Sequence, residues 1–148
     1  MSALVKILWP FLFLVSVCAA EETSLLEQLT LDLEKDHSFG IVLSIHEHSD
    51  GIKDYRLGLI QGVTSIETSN LTASEYAYFK KGIENTLAQG TVISEEGPCG
   101  PKLRLRQVQA SNHAVKCFRD EKNILDSTHD WVVLAREFVW MKKSQNNK

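Results

Sequence analysis

The sequence lacks the common catalytic signatures: it contains no glycine-rich phosphate loop, no HExxH, no CxxC and no GxSxG. Each of those motifs holds a reacting group or a phosphate in a defined geometry, so their absence lowers the odds of an enzyme. Cysteine is scarce, with three in 148 residues, and Cys18 falls in the first twenty. That leaves too few thiols for a disulfide-rich scaffold. After residue 20 no apolar stretch is long enough to form a transmembrane helix. Neither sign of charge dominates: 16 Lys and Arg stand against 19 Asp and Glu. Nothing in that balance favours nucleic acid as a partner. No internal repeat or low-complexity segment is present.

What is present begins with residues 1–20, which have one Lys, an apolar run over 7–17 and the small residues Cys18, Ala19 and Ala20 before Glu21. This pattern predicts a secretory signal peptide cleaved after Ala20. Lys6 is its one charged residue, so the mature chain has 15 cationic and 19 acidic side chains and a net charge of −4. Residues 21–143 are expected to form a single secreted domain, with 144–148 as a polar tail. In an oxidising compartment Cys99 and Cys117 are expected to pair, closing a loop of about 18 residues for roughly 3 kcal/mol. Asn70-Leu71-Thr72 is a glycosylation sequon, expected on an exposed loop.

The chain is organised around residues 39–63, which read as two strands joined by a tight turn. Phe39, Ile41, Leu43 and Ile45 alternate with more polar neighbours, and Tyr55, Leu57 and Leu59 do the same. A three-residue loop, Ser49-Asp50-Gly51, sets Ile45 against Tyr55, Leu43 against Leu57 and Ile41 against Leu59. A two-residue loop would mix apolar and polar residues on one face. The chosen register gathers Ser44, His46, His48, Asp54 and Arg56 on the opposite face, with His46 facing Asp54. That juxtaposition predicts an imidazole–carboxylate pair and a raised His46 pKa.

Around the hairpin, Ser24-Leu25-Leu26-Glu27 reads as a capping box and predicts an amphipathic helix over 24–35. Residues 64–69 are expected to extend the second strand. Thr72-Ala73-Ser74-Glu75 caps a second helix, whose apolar stripe is Tyr76, Phe79, Ile83 and Leu87 and which stops at Gly90. Residues 91–94 read as a short strand, and 102–109 and 113–120 as an antiparallel pair. Residues 131–141 are apolar on both sides and are expected to form a covered strand, a helix being the alternative. The sum is an α+β domain: a mostly antiparallel sheet with two helices packed on one face.

Three candidate sites follow. His46, His48 and Asp54 could ligate zinc or copper, or serve with Ser44 in hydrolysis; the plainer reading is a solvated strand face. Lys102, Arg104 and Arg106 share one side of a strand, a row suited to a glycan or an acidic partner. Tyr76, Phe79, Trp131 and Phe138 could line a cavity for a small apolar ligand. The expected function is therefore a secreted, non-enzymatic binding protein acting on an extracellular protein or glycan. An apolar-ligand carrier and a metal-dependent or hydrolytic enzyme are the alternatives.

Overall fold

The structure is a computed structural model that describes residues 23–33, 39–61, 64–94, 103–109, 112–119 and 121–146. In chain order the elements are β1 (Thr23–Leu33), β2 (Phe39–His48), β3 (Lys53–Gln61), β4 (Thr64–Leu71), α1 (Ala73–Leu87), β5 (Val92–Ser94), β6 (Leu103–Gln109), β7 (Asn112–Phe118) and α2 (Lys122–Asn146). The seven strands form one sheet in the order β4-β3-β2-β1-β6-β7-β5. Every neighbouring pair is antiparallel. The class is α+β, as the sequence predicts.

The β2–β3 register is the one the hydrophobic pattern demands. Ile45 faces Tyr55, Leu43 faces Leu57 and Ile41 faces Leu59. Gly51 makes the turn possible with φ of 84°, a left-handed conformation that side chains other than glycine rarely adopt. His48 N–H donates to the Ile52 carbonyl and Gly51 N–H to that of His48, closing the loop at three residues.

The described part of the expected helix, residues 24–33, is strand instead, and residues 34 and 35 lie outside the described residues. This strand is β1, which pairs with β2 on one side and β6 on the other. The Ser24 hydroxyl, expected to cap a helix, instead reaches the Glu47 carbonyl. The leucines fit both periods: Leu29 is three or four residues from Leu25, Leu26 and Leu33, yet Leu29, Leu31 and Leu33 also alternate with Thr30 and Asp32. Two-sided pairing decides the outcome, because it satisfies the strand's backbone groups in both ladders and buries Leu29 and Leu31 completely. A bulge between Leu25 and Glu27 puts Glu27 beside Ile45.

Two further expectations are corrected. The second hairpin strand is described as far as Gln61, residues 62 and 63 lie outside the described residues, and residues 64–71 form a separate strand, β4, antiparallel to β3. Residues 131–141 belong to α2, a helix of 25 residues. Its buried positions are Ile124, Thr128, Val132, Ala135 and Val139, spaced three or four apart, so the helical stripe begins well before residue 131. Ser144 and the two residues after it, expected in the polar tail, form the last turn of α2, with the Ser144 hydroxyl donating to the Trp140 carbonyl. In α1 the capping box is complete: Glu75 N–H donates to the Thr72 hydroxyl, and Thr72 N–H donates to the Glu75 carboxylate. Its buried stripe is the expected Tyr76, Phe79, Ile83 and Leu87.

One hydrophobic cluster joins Leu29, Leu31, Ile41, Leu43, Leu57 and Leu59 of the sheet to the buried stripes of α1 and α2. Beside this cluster lies a partly buried ion pair. The Glu27 carboxylate accepts from the Tyr76 hydroxyl at 2.7 Å and from Lys80 Nζ at 2.6 Å, tying β1 to α1. Burial pushes this carboxyl up, but the hydrogen bonds from Lys80 and Tyr76 and the Lys80 charge outweigh it and hold it below the usual carboxylate range. Burial, and then the Glu27 carboxylate, push the Tyr76 phenol above its ordinary range.

A carboxyl depressed in the fold contributes stability above its unfolded pKa of about 4.3 and loses that contribution as pH falls through its folded value. Tyr76→Phe is therefore expected to cost about 1.5 kcal/mol near neutral pH, by urea unfolding, since it removes a hydrogen bond to a charged group. In Glu27→Gln the loss of stability below pH of about 4.3 should be shallower than in the parent chain. An unchanged acid limb would show that Glu27 carries no such linkage.

Candidate functional site

Two surfaces are candidates, and they lie on opposite sides of the sheet. The first is the polar side of β2–β3. Cross-strand pairing brings Ser44 against Arg56 and His46 against Asp54, so the five expected side chains do share a face. Gln28 on β1 and Asn70 on β4 extend it, paired with Ser44 and Arg56.

The contacts within this face differ from expectation. Asp54 takes its hydrogen bonds from His48 Nε2 at 2.8 Å and from Arg56 at 3.1 Å, not from His46. The His48 bond, and then the Arg56 bond, hold the Asp54 carboxyl below its usual range. His46 Nε2 lies 3.1 Å from the Ser44 hydroxyl. Its pKa is lowered rather than raised: burial comes first and the Arg56 charge second, and together with His48 they outweigh Asp54. The carboxylate opposite His46 in register takes its hydrogen bonds from His48 and Arg56 instead.

This geometry does not assemble the sharp chemistry. The imidazoles point to different partners, and among the described residues no three His, Cys, Asp or Glu side chains are grouped to hold a metal ion. Ser44 is only 7% exposed, and β2 is paired on both sides. Backbone N–H groups committed to two ladders are not free to stabilise an oxyanion beside it.

The second surface is apolar and was not foreseen. A groove of about 660 Å³ runs between α2 and the β3–β4 strands, lined by Leu59, Glu67, Arg136, Glu137, Trp140 and Met141. Leu59 and Glu67 face each other in register, on the side of the sheet away from His46 and Asn70. Lys143 binds Glu67 and Lys142 binds Glu75, each at 2.9 Å, and these pairs fasten the end of α2 to β4 and α1. Trp140 is 69% exposed and Met141 48%. Neither belongs to the buried stripe of α2, and large apolar groups off the stripe are the signal that a correct helix assignment would have exposed.

The other expected sites fare differently. Among the described residues, Tyr76, Phe79, Trp131 and Phe138 are seen in ring contacts rather than together around one of the cavities described. Phe79 is buried and packs edge-on against Phe138 at 5.5 Å and Trp131 at 6.1 Å, while the Trp131 indole donates to the Thr86 hydroxyl. A cleft of about 240 Å³ touches Phe79 and Phe138 but neither Tyr76 nor Trp131. Asn70 is exposed, at the end of edge strand β4 rather than in a loop. Cys117 on β7 is wholly buried, while Cys99 and Lys102 lie outside the described residues. Arg104 and Arg106 alternate with Leu105 on β6, facing Cys117 and Val115 in register. Residues 1–20 also lie outside the described residues. Among the described residues no helix is long and apolar enough to cross a membrane.

No protein-family model matches the chain, and neither a curated protein nor a solved structure resembles it closely enough to count as a match. The functional argument therefore rests on the two surfaces themselves.

A depressed imidazole pKa adds stability above its unfolded value and loses it as pH falls below that value towards the folded one. In an NMR titration His46 should titrate below the ordinary imidazole value of about 6.5, and Arg56→Gln should move it upward. A midpoint above that of an unstructured histidine would restore the His46–Asp54 pair as the dominant contact.

Proposed function

We propose that this chain is a secreted, non-enzymatic binding protein that takes a small apolar ligand in the groove between α2 and β3–β4. One observation carries the proposal: Trp140 and Met141 stand exposed at the edge of a cleft of about 660 Å³. That volume lies within the range of small-molecule sites, and mostly apolar walls with a few charged groups are the usual make-up of such sites. An exposed indole costs solvation free energy unless something covers it.

Secretion is supported by the leader-like residues 1–20, the Cys99 and Cys117 pair and the Asn70 sequon. We infer that Cys117 is bridged to Cys99 and that Asn70 carries the glycan. A glycan on Asn70 would stand beside Arg56, on the polar side of the sheet, leaving the groove side open. A basic row including Arg104 and Arg106 remains compatible with an acidic partner, but no geometry favours it over the groove.

The neutral dye phenylnaphthylamine tests the proposal. Its fluorescence should rise saturably with the secreted chain, and Trp140→Ala should weaken binding about tenfold while leaving thermal unfolding within a few degrees of the parent. The tenfold figure corresponds to about 1.4 kcal/mol, within the range for burying one aromatic surface. Absence of saturable binding, or full binding by Trp140→Ala, would remove the groove as the ligand site.

A further inference from the structure

We propose that the ligand is a linear amphiphile with an anionic head, whose tail lies along the groove and whose carboxylate is received by Arg136. This deepens the preceding proposal and rests on it. The groove is longer than the main cleft. A second cavity of about 110 Å³, walled by Gly40, Ile60, Val132 and Val133, continues it along α2. Leu59 and Arg136 line both cavities, so the two form one trough. His129 marks one end and Trp140 the other, about 16 Å apart at 1.5 Å of helix rise per residue. A trough extended along one helix suits an extended alkyl chain better than a compact ring system.

The charges in the trough choose the head. Arg136 is exposed and has no ion-pair partner among the described residues. The carboxylate of Glu67 is already taken by Lys143. Glu137 lines only the larger cavity, so it disfavours an anion at the Trp140 end and favours a head in the smaller cavity, which Arg136 also lines, with the tail in the larger one. A guanidinium presents paired N–H donors that match a carboxylate bidentately, which an alcohol cannot use. His129 adds a further polar group at the far end of the smaller cavity.

Calorimetric titration of the secreted chain with decanoate, dodecanoate and dodecanol separates tail from head. Dodecanoate should bind about fifteenfold tighter than decanoate, because each buried methylene is worth roughly fourfold. It should also bind about fivefold tighter than dodecanol, the upper range for an exposed ion pair. Arg136→Gln should abolish the acid-over-alcohol preference without changing dodecanol, and Glu137→Gln should strengthen dodecanoate. Circular dichroism of both variants should match the parent, since these side chains are exposed. Equal binding of acid and alcohol by the parent, or a preference that survives Arg136→Gln, would overturn the anionic head while the groove reading stands. Failure of all three compounds to bind would overturn both. Co-flotation with phosphatidylcholine vesicles without dodecanoate binding would also overturn the proposal and make the exposed indole a membrane contact.

Discussion

The sheet exists as one object because β1 is paired along both edges. On one side of it lies β4-β3-β2 and on the other β6-β7-β5, and among the described residues it is β1 that joins them in the sheet. Leu29 and Leu31 on this strand are buried against the helices' apolar stripes, and Glu27 on the same side is held by Tyr76 and Lys80 of α1. Backbone pairing, apolar burial and a partly buried ion pair therefore meet on a single segment. Losing β1 would leave two smaller sheets, each with an additional unpaired edge.

That arrangement separates the two sides of β3–β4 by character. On the side with His46, His48, Asp54 and Arg56 the side chains hydrogen-bond along and across one pair of strands. The Arg56–Asp54 pair there is more than a third exposed in both side chains and is worth little to stability. The other side has Leu59 under α2, and there the helix leaves Trp140 and Met141 outside the core. The ion pairs of Lys142 and Lys143 fasten the helix end, so the groove has two fixed walls. Lys142 also lies over the Phe138 ring at 5.3 Å, adding a cation–π contact to the same clamp.

How far the sequence discloses this depends on how local each decision is. The β2–β3 hairpin was legible because period-two alternation and Gly51 agree on one register, and nothing distant had to be known. The cap of α1 was legible for the same reason: Thr72 and Glu75 complete it within one turn. β1 was not, because Ser24 and Glu27 imitate a capping box and the leucines fit two periods; only pairing with β6, far along the chain, selects the strand. α2 was misjudged because the stripe starts at Ile124 and a window opening at residue 131 shows only its dense, β-branched half. The shared face of Ser44, His46, His48, Asp54 and Arg56 followed from register, but which imidazole meets Asp54 depends on rotamers and burial that register does not specify. The groove could not be read at all, since Leu59 and Met141 are brought together by the packing of α2 on the sheet.

Native-state hydrogen exchange decides whether β1 has this role. If it joins the two halves of the sheet, the amides of residues 28–32 exchange only through global unfolding and are protected by the full unfolding free energy, well beyond the edge strands β4 and β5. Exchange of those amides at edge-strand rates, or their release together with the first turns of a helix, would contradict the architecture described.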